Sequence, residues 1–141
     1  MAYRRAAYYS GATEGDLARV AFYVGNQSKV IAAIGGQRPL KATEGFTGGE
    51  PHPLGLVHVL GNEIEWTADW YAPYPTETTT DPLGPAVPPD PASAGRVRRG
   101  GSWIGSALSA RSAYRNWSLP SDRYNSVGFR LVLPQPVGRG S

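Results

Sequence analysis

The sequence contains no cysteine, so it offers no disulfide, no thiolate nucleophile and no cysteine-ligated zinc. Its longest apolar runs are far shorter than the ~20 residues that a membrane-spanning helix needs. The first residues lack an apolar stretch, so neither a signal peptide nor a transmembrane segment is predicted, and the localisation stays open. Lysine is also scarce, because twelve of the 14 basic residues are arginine.

Glycine and proline are abundant instead, with 18 and 13 residues, and they predict few helices and many loops. A length of 141 residues predicts a single domain over residues 1–141, which could also be the C-terminal part of a longer chain. The arginines that give the net charge of +3 are spread along the chain, so nucleic acid is not a predicted partner. Much proline and arginine without cysteine fits a thermostable protein.

The first half of the chain yields one predicted helix, over residues 13–24. Thr13 precedes Asp16 at the spacing of a capping box, and apolar residues follow at helical intervals up to Gly25. We also expect a short strand over 30–34, a loop over 41–53, and a core segment over 54–71 that buries Trp66 and Trp70.

The second half predicts strands separated by loops. Seven prolines over residues 72–95 predict a long irregular crossing rather than a domain boundary. Three segments with strand-like alternation follow, at 96–103, 111–116 and 127–133. The prediction is an α+β fold with a small antiparallel sheet, few helices and much irregular loop. Trp103 is expected to be buried, and the arginines are expected to satisfy loop carbonyls and carboxylates, with Asp69 and Glu65 as natural partners.

Several motifs occur in a fixed order in the C-terminal part of the chain. They are Gly61-Asn-Glu-Ile-Glu-Trp-Thr-Ala-Asp-Trp-Tyr71, Asp81-Pro-Leu-Gly-Pro85, Arg99-Gly-Gly-Ser-Trp103, Arg111-Ser-Ala-Tyr-Arg115 and Gly128-Phe-Arg-Leu131. Together they resemble the formylglycine-generating-enzyme or sulfatase-modifying domain, a variant of the C-type lectin fold. The resemblance covers residues 54–133 and implies that fold.

The resemblance does not carry the enzyme's activity over to this chain. The enzyme needs two cysteines shortly after the glycine-rich block, and the matching places fall near Gly105 and Ala110, which cannot hold copper. Iron-dependent relatives carry their histidine ligands in a different domain. The two histidines here, His52 and His58, make a poor facial triad with Glu50 or Glu63. We therefore expect no catalytic residues and no enzyme.

The closer resemblance is to the variable proteins of diversity-generating retroelements, which end in the same framework of motifs. It implies that adenine-bearing codons between Trp103 and Val127 are randomised. Twelve of the 23 residues at 104–126 are Tyr, Ser, Asn, Trp or Gly, which is the composition of an antibody paratope. The residues assigned to the framework are Ala107, Ala110, Arg111, Ser112, Ala113, Arg115, Pro120 and Arg123.

We predict that thirteen other residues of this segment contact a ligand, with Tyr114, Trp117 and Tyr124 as the anchors. Trp117 stands apart, because no adenine-only change of an asparagine codon yields tryptophan. The predicted ligand-binding residues are Ile104, Gly105, Ser106, Leu108, Ser109, Tyr114, Trp117, Ser118, Leu119, Ser121, Tyr124, Asn125 and Ser126.

The resemblance also implies a calcium site in some family members, with ligands at the places of Gly61, Glu63 and Glu65. Here His58 stands where an oxygen ligand is expected. The favoured alternative is a metal-free turn in which Glu65 accepts hydrogen bonds from backbone amides, so no cofactor is predicted.

Three functions remain open. The preferred one is a ligand-binding protein that presents a retroelement-diversified surface to an unknown protein or other macromolecule. The alternatives are a degenerate or partner-dependent sulfatase-modifying domain and a lectin-fold assembly module.

Overall fold

The computed structural model describes residues 6–27, 51–80, 82–91 and 94–133. The expected strand at 30–34 and most of the expected loop at 41–53 lie outside these residues. The described elements are α1 (Glu14–Ala18), β1 (Ile64–Trp70), β2 (Arg96–Arg99), a 3-10 helix (Ala107–Ala110), β3 (Asn116–Ser118) and β4 (Val127–Phe129).

Helix α1 begins where the sequence predicts. The Thr13 hydroxyl accepts from the Asp16 amide at 3.2 Å, and the Asp16 carboxylate accepts from the Thr13 amide at 3.0 Å, so the capping box is complete. The helix is much shorter than predicted, because it ends at Ala18 and the chain turns at residues 24–26. Val20 and Ala21 are still buried.

The four strands form one sheet in the order β3-β2-β1-β4. Strand β2 pairs antiparallel with both β1 and β3, but β4 runs parallel to β1. The predicted antiparallel sheet is therefore wrong, and the sheet is mixed. Three predicted strands are also shorter than expected, and the second begins at Asn116 because residues 111–113 form a turn.

The core lies between the N-terminal segment and the 3-10 helix. Tyr8, Leu17 and Leu60 are buried against Ala107 and Ala110, and the Tyr8 hydroxyl donates to the Ala107 carbonyl at 3.1 Å. Burial is the main cause that raises the pKa of Tyr8. Backbone hydrogen bonds also join the N-terminal segment to the rest of the domain. The Asn62 amide donates to the Phe22 carbonyl, and the Val24 amide donates to the Gly105 carbonyl.

The expected core segment at 54–71 is only partly buried. Leu60 and Ile64 are buried, but Leu54 and Val57 are 78% and 55% exposed. Trp66, Trp70 and Trp103 are half-buried rather than fully buried. The guanidinium carbon of Arg96 lies 3.6 Å from the Trp70 ring centroid, so an arginine covers this ring in place of apolar packing.

The glycine-rich block after β2 brings two backbones together. Gly101 has a φ of 72°, and a Cβ there would lie 2.9 Å from the Ala110 amide nitrogen. The preceding carbonyl of Gly100 accepts from the Gly61 amide at 2.7 Å. A side chain at Gly101 would therefore separate this block from the 3-10 helix, on which the first part of the variable segment lies.

Candidate functional site

Most of the predicted ligand-binding residues reach solvent. Leu108, Tyr124 and Ile104 are the most exposed of the large ones, at 65%, 55% and 52%. Three further residues, Gly105, Ser109 and Tyr114, are half-buried. The exposed set comprises Ile104, Ser106, Leu108, Trp117, Leu119, Ser121, Tyr124 and Asn125, and we call it the display surface.

Two predicted contact residues do not reach the surface. Ser118 and Ser126 are 6% and 7% exposed, so the expectation that their side chains are displayed is wrong. Ser118 lies in β3 opposite Arg96, and the carbonyl of Ser126 accepts from the Ile64 amide at 2.9 Å. Both serines lie where strands pair, so their small size suits the packing.

Part of the display surface lines a depression of about 510 Å³ at the β4 edge of the sheet. Tyr124 and Asn125 line it together with Trp66 and Phe129. The guanidinium carbon of Arg98 lies 5.7 Å from the ring centroids of both Trp66 and Tyr124, and it therefore links the framework ring to the variable one.

Three residues of this region, Trp66, Arg98 and Phe129, were not predicted as site residues. Phe129 is 73% exposed, although its place in the Gly-Phe-Arg-Leu block had suggested a framework role. The register pairs Trp66 with both Arg98 and Phe129. Parallel pairing of β1 with β4 creates this arrangement, and no local sequence signal shows it.

A second group of display residues surrounds the 3-10 helix. Ile104, Ser106 and Leu108 are exposed there, while Ala107 and Ala110 pack into the core. Trp117 is placed differently again, because its ring centroid lies 6.2 Å from that of Tyr71 and its ring packs on Gly95. The display surface therefore has separate parts along one segment.

Arginines hold this segment mainly through backbone carbonyls, as predicted. Arg98 donates to Trp117 at 3.1 Å, Arg111 to Leu108 at 3.1 Å and Arg123 to Pro120 at 3.1 Å, and Arg99 donates to the Ser112 carbonyl. Within the described ranges, Asp69 makes no ion pair with an arginine, and its carboxylate accepts from the Thr67 hydroxyl.

Glu65 joins β1 to the chain after β4 through an ion pair. Arg130 donates from Nη2 to Oε1 at 2.6 Å and from Nε to Oε2 at 2.9 Å. The expectation that backbone amides hold Glu65 is wrong, because a guanidinium does so, and the expectation that Glu65 pairs with an arginine is confirmed. Hydrogen bonding to Glu65 raises the pKa of Arg130, whereas burial and Arg130 lower the pKa of the nearby His58.

Of the implied calcium ligands, the Glu65 carboxylate is engaged by the protein. Both Glu65 oxygens accept from Arg130, and the Gly61 residue is buried against Phe22. Among the described ranges, no group of three His, Asp or Glu side chains is placed to hold a metal ion.

The copper chemistry of formylglycine formation does not fit these residues. Gly105 and Ala110 carry no thiol, and Ala110 is 1% exposed. A Cβ on Gly105 would lie 2.6 Å from the Ser109 hydroxyl oxygen and 3.2 Å from the Ser102 amide nitrogen. A cysteine at this point would turn the Ser109 hydroxyl aside and press on the Ser102 backbone, and neither Gly105 nor Ala110 supplies a thiol, so these residues support no step through copper.

The small mixed sheet, the few short helices and the long irregular crossings define a C-type lectin-like domain. Residues 5–134 match the model of the sulfatase-modifying factor enzyme 1-like domain, and the chain belongs to this family. In the described ranges, no helix has the length and apolar character needed to cross a membrane.

Both predicted resemblances are confirmed by individual relatives. The chain is 30% identical over 146 residues to the formylglycine-generating enzyme of Streptomyces coelicolor, covering 100% of this chain and 44% of that enzyme. It is 33% identical over 86 residues to the formylglycine-generating enzyme of Bos taurus, covering 58% of this chain and 22% of the enzyme.

The solved structure of Treponema denticola variable protein 1 superposes with a TM-score of 0.67 at 32% identity, covering 88% of this chain and 39% of that one. The chain therefore spans less than half the length of each of these three relatives.

Proposed function

We propose that this domain is a non-catalytic ligand-binding protein and that its display surface, as in a retroelement variable protein, is diversified. One observation carries the proposal: Tyr124 and Asn125, from the paratope-like segment, line the depression that Trp66 and Phe129 complete. Variable and framework side chains thus share one concave surface, which is the arrangement that a binding site with changing specificity requires.

The composition of this depression supports recognition of a macromolecule. Aromatic residues and arginine dominate the energetics of protein interfaces, and the lining residues Tyr124, Trp66, Phe129 and Arg123 supply both types. Tyrosine and tryptophan bury much area with few rotatable bonds, so they lose little conformational entropy on binding. The ligand we propose is a protein or another macromolecule with a surface that fills the depression.

Sequencing the 3′ end of the gene in a natural population of the source organism tests diversification. We expect non-synonymous changes at codons for exposed residues such as Leu108, Tyr124 and Asn125. The buried Ser118 and Ser126 should vary less, although they lie in the same segment. Uniform and mostly synonymous variation would remove the diversification proposal and leave a fixed lectin-fold module.

Binding itself is tested on a partner recovered with the wild-type domain. Tyr124→Ala should weaken its binding by about 1–4 kcal/mol, because a central aromatic anchor is lost. The melting temperature should stay nearly unchanged, since the Tyr124 side chain is 55% exposed. Val87→Ala is a matched control, because Val87 is exposed and lies outside the depression. A large fall in melting temperature for Tyr124→Ala would instead assign this ring to the fold.

The enzyme names of the relatives favour one second candidate, a degenerate sulfatase-modifying activity. The missing thiols at Gly105 and Ala110 oppose it. Oxygen consumption with a Cys-x-Pro-x-Arg peptide, measured with and without added copper, decides between the two. We expect no consumption above the rate of the peptide alone, and turnover by the purified domain would overturn the non-catalytic proposal.

A further inference from the structure

A second cavity, of about 720 Å³, lies under the proline-rich crossing between β1 and β2. It shares no lining residue with the depression at Tyr124, although Gly84, Arg99 and Arg115 belong to motifs described above. We call it the crossing pocket. Its lining combines Tyr74, four prolines and Leu83 with the charged residues Asp69, Glu77, Arg99 and Arg115. This volume falls in the range typical of small-molecule sites.

Two arginines in the crossing pocket are held in place by the protein. Arg115 donates to the Ala72 carbonyl at 3.0 Å, and its guanidinium carbon lies 4.4 Å from the Tyr74 ring centroid and 5.0 Å from that of Tyr71. Arg99 is anchored by its bond to the Ser112 carbonyl. A guanidinium has five N–H donors, so each arginine retains several for a ligand oxygen.

Two acidic groups, Asp69 and Glu77, also line the pocket. The Asp69 carboxylate accepts from the Thr67 hydroxyl, and the crossing packs on its stem, since a Cβ on Gly84 would lie 2.8 Å from the Asp69 Cβ. Glu77 is an exposed residue of the crossing, where water screens its charge. The two carboxylates balance the two guanidinium groups in formal charge, and the remaining N–H donors of the arginines are what the pocket offers to an anion.

We propose that the crossing pocket binds a small planar aromatic acid. Its carboxylate or sulfonate group accepts from Arg99 and Arg115, because guanidinium groups match two-oxygen anions in geometry and charge. Its ring packs against Tyr74 and the prolines, which supply a flat apolar wall. None of its lining residues belongs to the display surface, so the domain can hold one small ligand while another face meets a macromolecule.

Titration calorimetry of the full chain with 2-naphthoate tests the proposal, with 2-naphthamide as the neutral analogue of the same shape. We expect the acid to bind at least about tenfold more tightly than the amide, because only the acid uses the charge of the arginines. Equal affinity of acid and amide, or no binding of the acid at about 10 mM, would overturn the proposal.

The location of the site is tested at Leu83, which is 90% exposed and lines the pocket, so that its replacement should leave the fold intact. Leu83→Glu should weaken the binding of 2-naphthoate about fivefold more than Leu83→Gln does, because both variants lose the apolar contact and only the glutamate adds repulsion. Leu133→Glu is the charge-matched control, because Leu133 is 91% exposed and outside the pocket. Equal weakening by Leu83→Glu and Leu133→Glu would show only non-specific attraction to a basic protein and would refute the site.

Discussion

The ion pair between Arg130 and Glu65 should contribute measurably to stability, and Arg130→Met is the perturbation that shows it. Arg130 makes two bonds to the carboxylate and further bonds to the carbonyls of Val57 and His58, at 3.1 Å and 3.4 Å. The substitution removes all of them and leaves Glu65 without this cation. The pair joins β1 to the chain after β4, so its loss should destabilise the whole sheet edge.

The magnitude follows from the partial burial of the two side chains, which are 32% and 25% exposed. A hydrogen bond to a charged group contributes about 1.5–3 kcal/mol when buried, whereas a fully exposed pair contributes about 0–1 kcal/mol. We therefore expect Arg130→Met to lower the free energy of unfolding by about 2–3 kcal/mol. For a domain of this size, that corresponds to a fall in melting temperature of roughly 5–10 °C.

Urea denaturation of a double-mutant cycle with Glu65→Gln isolates the pair from the carbonyl bonds. We expect a coupling energy of about 1–2 kcal/mol between the two positions. Arg123→Met is the control, because Arg123 is exposed and donates only to nearby carbonyls, so its loss should cost less than about 0.5 kcal/mol. A cost for Arg130→Met no larger than for Arg123→Met, or a coupling energy near zero, would refute the reasoning.

Three further predictions follow from the same region and from the buried serines. His58 has a pKa below its ordinary value, so the unfolded chain binds more protons and stability should fall as the pH drops below about 6.5. Asparagine tolerates the φ of 54° at this position, so His58→Asn should fold normally. Measured by urea denaturation between pH 7.5 and 5, its free energy of unfolding should depend less on pH than that of the wild type. An equal pH dependence of the two proteins would contradict this. Ser126→Tyr should lower the free energy of unfolding, measured in urea, by about 2–3 kcal/mol, because Ser126 is buried. Asn125→Tyr should lower it by less than about 0.5 kcal/mol, because Asn125 is exposed. Equal losses would remove the distinction between framework and display residues. Added calcium should not raise the melting temperature, because both Glu65 oxygens accept from Arg130, and a saturable rise would establish the site.

Local signals in the sequence predicted what depends on neighbouring residues. The capping box at Thr13 placed the start of α1, and the ordered motifs from Gly61 to Leu131 identified the family. The end of α1 was not predictable from the same pattern, because the apolar residues after Ala18 pack into the core from a turn. Hydrophobic spacing alone does not separate these two cases.

Long-range pairing explains most of what the sequence did not reveal. Parallel pairing of β4 with β1 places Phe129 beside Trp66. No sequence pattern around either residue predicts this contact. The apolar residues near Leu54 were expected in the core because they are dense, yet they lie on an exposed loop. Serine is equally compatible with a surface loop and with a tight strand contact. The burial of Ser118 and Ser126 could therefore be recognised only from the structure.

The arginine contacts of the variable segment have one more consequence, for the range of sequences that this scaffold can carry. The carbonyls of Trp117, Leu108, Pro120 and Ser112 accept these bonds, and every amino acid has a carbonyl. A codon change at Leu108 or Trp117 therefore replaces the side chain and leaves the acceptor in place. The arginine bonds that hold the segment do not depend on which side chain each position carries. A synthetic library at the exposed positions should therefore retain a large fraction of folded members. The domain is accordingly a candidate disulfide-free scaffold for evolving new binding proteins.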